Sequence, residues 1–298
     1  MRLPSASPFG ERTPFEERSP PTSAQGFGSP HWRKGSGTRA VDLLVTVILL
    51  WLVFSLIVCL FVFAYEEFAP LVWALLAASA LLALLLVVTG SSANRPWHAA
   101  LGLLSLVSLG VAVPVGLVIE SDHMREYWRL DNGALYTQMN PADPSSSHSD
   151  ATVLEFRDGT FVDVKRSVGY MKSGTIYCVA PVLSKRMETS VQYWATGIGC
   201  CAQRGMFTCD DAEDPSAGSA LSIVDATGRF QGAVRMAESV YDFTPAQTLP
   251  MLVMWLKDAT AFKDELWSSA ATLVAVASGT HLVIAVLAAA VFSRYIWK

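Results

Sequence analysis

The chain has 298 residues, of which 16% are charged and 52% apolar, and its formal net charge is −4. Soluble domains usually carry about 25% charge, so the composition argues against an ordinary water-soluble protein and points to a lipid bilayer as partner.

Residues 1–39 are rich in Pro, Ser, Gly and Thr and hold few aliphatic side chains. Such a segment buries too little surface to offset the entropy of ordering, which predicts a disordered tail. Thr13-Pro14, Ser19-Pro20 and Ser29-Pro30 have the form of proline-directed phosphorylation sites.

Four charge-free apolar runs follow, Leu43 to Tyr65, Phe68 to Asn94, Trp97 to Ile119 and Leu266 to Ser293. At about 1.5 Å per residue each reaches across a hydrocarbon core of about 30 Å. Leu, Ala and Val without period-two alternation form helices, because in lipid every backbone polar group must find its partner internally. The first run lies too far from the start and is too long for a cleaved signal peptide, so it is expected to be an uncleaved signal anchor. Three transmembrane helices are thus predicted within 40–119 and a fourth within 266–298. Gly102, Ser105, Gly110 and Gly116 in the third run, and Ala77, Ala80 and Ala83 in the second, offer small surfaces for close helix packing.

His98 and His281 are the ionisable groups inside these runs. Their depths differ by about 15 Å at the helical rise, so joint ligation of a haem is not expected. His281 is expected to hydrogen-bond a Ser or Thr of a neighbouring helix. The absence of acidic or basic residues from the four cores argues against a proton-coupled transporter or a charged-ring channel.

Orientation is read from Lys and Arg. The tail carries Arg33, Lys34 and Arg39 next to the first run, the second turn carries Arg95, and the C-terminus carries Arg294 and Lys298, whereas the first turn carries Glu66 and Glu67. Basic ends stay in the cytosol. Both termini are therefore expected there, with residues 120–265 extracellular or lumenal. That stretch counts 20 acids against 13 bases; a nucleic-acid partner is excluded because it needs a basic footprint.

Within it, Arg125 to Asp150 is a polar stretch whose Asn140-Pro141-Ala142-Asp143-Pro144 and serine run read as loop. Thr152 to Phe156 and Thr160 to Val164 alternate around Asp158-Gly159, a hairpin signal. Thr175 to Val182, Val191 to Ile198 and Ala220 to Asp225 read as further strands. Arg229 to Tyr241 has helical spacing of its apolar residues. Leu249 to Leu256 is too short to span a bilayer and is a buried strand or an interfacial helix.

Cys59 in the first helix reads as a packing residue. Cys178, Cys200, Cys201 and Cys209 all lie in the 120–265 stretch, and an even set in an oxidising compartment reads as two disulfides. Adjacent Cys200 and Cys201 do not favour bridging each other, so one of them pairs with Cys178 and the other with Cys209. A zinc site is the less favoured alternative, because structural zinc typically brings cysteines two to four residues apart. Redox catalysis lacks a Cys-x-x-Cys.

The runs Tyr177-Cys178-Val179-Ala180-Pro181, Tyr193-Trp194-Ala195-Thr196-Gly197-Ile198-Gly199-Cys200-Cys201 and Phe207-Thr208-Cys209-Asp210-Asp211 resemble a signature of uncharacterised multi-pass membrane proteins of dinoflagellate type. The resemblance covers roughly 170–260 and implies that the cysteine segment belongs to one recurring domain. The layout of four helices, cytosolic ends and a large cysteine-bearing loop is also similar to tetraspanins. The chain departs from them in Cys200-Cys201-Ala202 where tetraspanins carry Cys-Cys-Gly, in the short Glu66-Glu67 turn, and in strands where their loop is mainly helical.

No nucleophile elbow, phosphate-binding loop or His-Glu-x-x-His occurs. His123 and His148 read as solvated, and Asp210, Asp211, Glu213 and Asp214 as a solvated acidic loop in preference to a calcium site. No catalytic, cofactor-binding or metal residue is assigned. The sequence thus predicts an α-helical membrane bundle of four transmembrane helices with an external disulfide-stapled α+β domain between helices three and four, displayed for a protein partner. A membrane-anchored enzyme or transport accessory and a tetraspanin-like organiser are the alternatives.

Overall fold

The computed structural model describes residues 36–185, 189–246 and 248–296; the expected phosphorylation sites and all of the expected tail before Ser36 lie outside these residues. Helix α1 (Ser36–Phe63), α2 (Tyr65–Ser92) and α3 (Pro96–Ile119) follow one another through Ala64 and through residues 93–95. Joints this short force antiparallel neighbours. Phe68 departs from helical geometry at φ −124° and ψ 33°, two residues before Pro70. The Glu66-Glu67 turn is thereby set off from the main helix, near whose start Pro70 costs little for lack of an N–H.

Chain order continues through a π-helical turn (Glu120–Met124), α4 (Arg125–Asn132), β1 (Ala134–Met139), a 3-10 turn (Ser145–His148), β2 (Ala151–Phe156) and β3 (Phe161–Val162). Then come β4 (Val168–Lys172), β5 (Thr175–Leu183), β6 (Tyr193–Ile198), β7 (Ser219–Ile223), α5 (Arg229–Tyr241), β8 (Met251–Leu256) and α6 (Ala259–Ile296). The helices α1, α2, α3 with its extension, and α6 are each long and apolar enough to cross a membrane. Leu52, Leu56, Leu81, Leu82 and Leu287 point outward from them, an apolar surface of the kind that faces lipid.

Close packing of α3 on α2 and on α1 runs over expected small residues. A Cβ on Gly102 would reach within 2.5 Å of the Ala83 carbonyl oxygen, and one on Gly116 would overlap Phe61. Gly110 departs from this, with open space around it. His281 is buried, stacks on Phe54 with ring centroids 4.0 Å apart, and lies 3.2 Å through Nε2 from Ser108 Oγ. The expected inter-helix hydrogen bond is thus formed. His98 is exposed at the start of α3, ten residues and about 15 Å of helix from Ser108, so the two histidines are not brought together.

In the polar stretch Arg125 to Asp150 the segment Asn140 to Pro144 is loop as expected, but the serine run forms the 3-10 turn, and α4 and β1 precede them where the sequence assigned no element. The short apolar stripe of Tyr127, Trp128 and Leu130 is hidden among charges in the sequence. In the fold Tyr127 packs on Trp267 and Leu130 on the domain, while Lys263 pairs with Asp131 at 2.7 Å.

All eight strands share one mixed sheet, in the order β1-β2-β7-β8-β6-β5-β3 with β4 also on β5. The expected hairpin at Asp158-Gly159 is not formed. The turn is there, with Gly159 at φ +86° and the Thr160 N–H donating to the Arg157 carbonyl at 3.1 Å. However, β1 and β7 occupy both edges of β2, and β3 pairs with β5 instead. Strand β4 was not legible in the sequence, whereas α5 spans the predicted helix and the segment Leu249 to Leu256 resolves as strand β8.

One face of the sheet carries Leu154, Phe156, Cys178, Ala195, Val253 and Trp255, covered by the loop that holds Phe207 and Cys209. The other face is covered by α5 over Val179, Trp194 and Leu252, and by the ends of α4 and α6 over Leu221 and Leu256. Trp194 and Trp255 are fully buried, and truncation of such residues to alanine costs about 3–5 kcal/mol. Strand β8 enters α6 through Lys257 and Asp258 alone. The Asp258 carboxylate accepts the Thr260 hydroxyl at 2.7 Å and the N–H groups of Ala261 at 3.2 Å and Thr260 at 2.8 Å, an N-cap that holds its pKa below the usual carboxylate value.

Candidate functional site

Two places in the inter-helix domain concentrate polar chemistry. The first is the cysteine cluster. Cys178 lies on β5 directly opposite Gly197 of β6, and β6 is followed by Gly199, whose φ of +71° suits glycine and turns Cys200 and Cys201 back over the strands. Cys178 bonds Cys201 and Cys200 bonds Cys209, which selects one of the two pairings left open by the sequence. The sulfurs of Cys178, Cys200 and Cys209 lie within 4.8 Å of one another, so the two bridges are stacked. Gly197 makes room for them: a Cβ there would come within 2.5 Å of Cys200 Sγ and would overlap Cys209 Sγ. With all four sulfurs in disulfides, the thiolates that zinc requires are not available.

The neighbouring acidic run is spent on its own loop. The Asp214 carboxylate accepts from the Ser216 hydroxyl and N–H and from Lys257 Nζ, in that order of weight, and its pKa falls to about 2. The Asp211 carboxylate accepts the Lys257 N–H at 2.8 Å. Burial and Asp211 together raise the pKa of Asp210.

The second place is a two-lobed groove at the strand ends opposite the junction of β8 with α6. Three segments enclose it, 140–150 before β2, 189–192 before β6, and 243–246 with 248–250 before β8. Asn140 and Asp143 make a turn, with the Asp143 N–H donating to the Asn140 carbonyl at 3.0 Å, and Pro144 then starts the 3-10 turn. Ser145 ties this segment across the domain: its hydroxyl donates to the Leu249 carbonyl at 3.1 Å and its N–H to Gln192 Oε1 at 3.4 Å. The Thr244 N–H donates to the Thr189 carbonyl at 2.8 Å.

Behind this wall His148 Nδ1 lies 3.1 Å from the Tyr193 hydroxyl, and the Tyr136 hydroxyl donates to Asp150 at 3.0 Å. Burial, with the Asp143 charge nearby, pushes the Tyr193 phenol up to about 12. His148 is therefore not the solvated residue expected from its serine-rich surroundings, because the fold brings it to the hydroxyl of a buried tyrosine 45 residues away. The available sequence signal was Tyr193 itself, since a tyrosine on a buried strand needs a partner for its hydroxyl. His123 is also corrected: it is half-buried on the π-helical turn, with Nδ1 enclosed and unpartnered among the described residues.

One lobe of the groove, about 430 Å³, is lined by Pro144, Ser146, Ser190, Gln192, Thr244 and Thr248. The other, about 380 Å³, is lined by Gln231, Val234, Arg235, Glu238, Leu249 and Pro250. Pro245 and Thr248 belong to both. Cavities of about 300–1,000 Å³ are the range for bound ligands. The larger lobe offers uncharged hydrogen-bonding groups, and the smaller one an apolar floor with one acid and one base. Among the described residues, this lining offers hydrogen-bonding and apolar contacts.

Compared with protein families, curated proteins and solved structures, the chain matches none.

Proposed function

We propose that the chain is an integral membrane protein whose four long helices cross the bilayer, with both termini cytosolic and residues 120–265 displayed outside or in a lumen, where the disulfide-stapled domain binds a protein partner. The observation that carries this reading is the pair of disulfides in the domain between α3 and α6. Such bonds persist in oxidising compartments, and the basic residues flanking the apolar runs favour the same side for the domain. The resemblance to dinoflagellate-type multi-pass proteins extends the reading to chains sharing the motif; its stretch, roughly 170–260, holds both disulfides, β5 to β8 and α5.

A membrane-impermeant cross-linker applied to intact cells expressing the full chain tests the proposal. Mass spectrometry is expected to find intermolecular cross-links on residues 120–265 that vanish when the disulfides are reduced beforehand. Cross-links confined to the helices and termini would overturn it.

A further inference from the structure

Glu238 stands on the wall of the smaller lobe, half-buried, and forms no ion pair among the described residues. Desolvation raises the pKa of its carboxylate even though Arg235, one turn back on α5, opposes that rise. Arg235 acts on this carboxylate only at a distance, so the half-buried group has no contact ion pair among the described residues and leaves a place for a cation on its groove side. The surrounding field has the same sign, with 20 acids against 13 bases over residues 120–265, and therefore draws cations toward the domain.

The rest of the groove is suited to a chain and not to a compact ion. Its two lobes meet at Pro245 and Thr248 and together extend from Ser146 and Gln192 to Glu238. The Thr248 hydroxyl, and the capacity that Ser190 and Gln192 retain beyond their bond to each other and to the Ser145 N–H, can exchange hydrogen bonds with a peptide main chain, which needs both donors and acceptors. Leu249, 73% exposed at the rim, and Val234 beneath provide a seat for an apolar side chain.

We propose that this groove receives an extended peptide segment of a partner protein, with a lysine or arginine seated against Glu238 and the main chain held along Gln192 and Thr248. This rests on the reading of the domain as partner-binding and names where and what it binds.

The test uses the full chain in lipid nanodiscs, panned against a random twelve-residue phage-displayed peptide library. Enriched peptides are expected to share a basic residue, to bind the Glu238→Gln variant at least tenfold more weakly, and to lose binding to Thr248→Trp, which fills the junction of the lobes. Both variants are checked for native disulfides by non-reducing peptide mapping, and Ser239→Trp on the exposed side of α5 is expected to bind as the parent does. Enrichment of acidic peptides would assign the groove to Arg235 and overturn the proposal, as would no enrichment. Peptides that bind Thr248→Trp unchanged would also overturn it while leaving the partner-binding reading standing, since their site would be elsewhere on the domain.

Discussion

Gly197 shows how one missing methyl group can decide a local structure. Its neighbours across the sheet and along the loop are sulfurs, and a side chain would occupy the space of the Cys200–Cys209 bridge. Overpacking of this kind costs about 1–3 kcal/mol. Gly197→Ala is expected to lower the melting temperature of the domain by several degrees, whereas Gly110→Ala, with nothing within 4 Å of its added carbon, should leave it nearly unchanged. Non-reducing peptide mapping of the parent chain should return Cys178 with Cys201 and Cys200 with Cys209; recovery of Cys178 with Cys200 would reject the stacked arrangement. Tyr193 gives a prediction in pH. Its phenol ionises at about 12 in the fold and near 10 when unfolded, so above pH 10 the unfolded chain loses this proton first. Stability should fall as pH rises from 10 to 12, and Tyr193→Phe should remove that part of the fall in a melting series.

At the scale of elements, legibility followed the range of the interaction that decides each one. The four long helices and α5 were readable because helical bonds are local and their apolar patterns are long. The strands of the cysteine motif were readable from β-branched and aromatic residues. The pairing of β2 was not, since Asp158-Gly159 gives the correct turn but β7, more than 60 residues later, takes the edge that a hairpin partner would use. Strand β4 was missed because it is five residues long, holds Gly169 and depends on pairing with β5, and helix α4 because it is short, mostly polar and depends on contacts with α6. Of the groove, only its turn-forming prolines were visible, for His148 and Tyr193 meet through the sheet and not along the chain. Between elements, Ser108 is the partner that the sequence could not name for His281. Ser108→Ala leaves a buried ring nitrogen without that partner, at a cost of about 0.6–2 kcal/mol, to be read as a shift in unfolding by sodium dodecyl sulfate in mixed micelles. His281→Phe should recover part of the loss by stacking on Phe54.

For the whole molecule, the distribution of charge predicts which loops face which side. In a Cys59→Ala background, a cysteine placed at exposed Ser146 should react with an impermeant maleimide on intact cells, and one placed at Ser92 only after permeabilisation; the reverse pattern would refute the proposed orientation. The mode of attachment matters as much as the side. Helix α3 passes into α4 through the π-helical turn without a linker, and β8 reaches α6 across two residues. The two supports are also braced to each other through Lys263 with Asp131 and Trp267 with Tyr127. A head held by two braced struts has little freedom to swivel on a tether. In the proposed membrane arrangement, a rotation or tilt of α6 would turn the sheet and its groove with it, so that a ligand gripping the groove would exert torque on the bundle and a change of bilayer thickness would re-aim the groove.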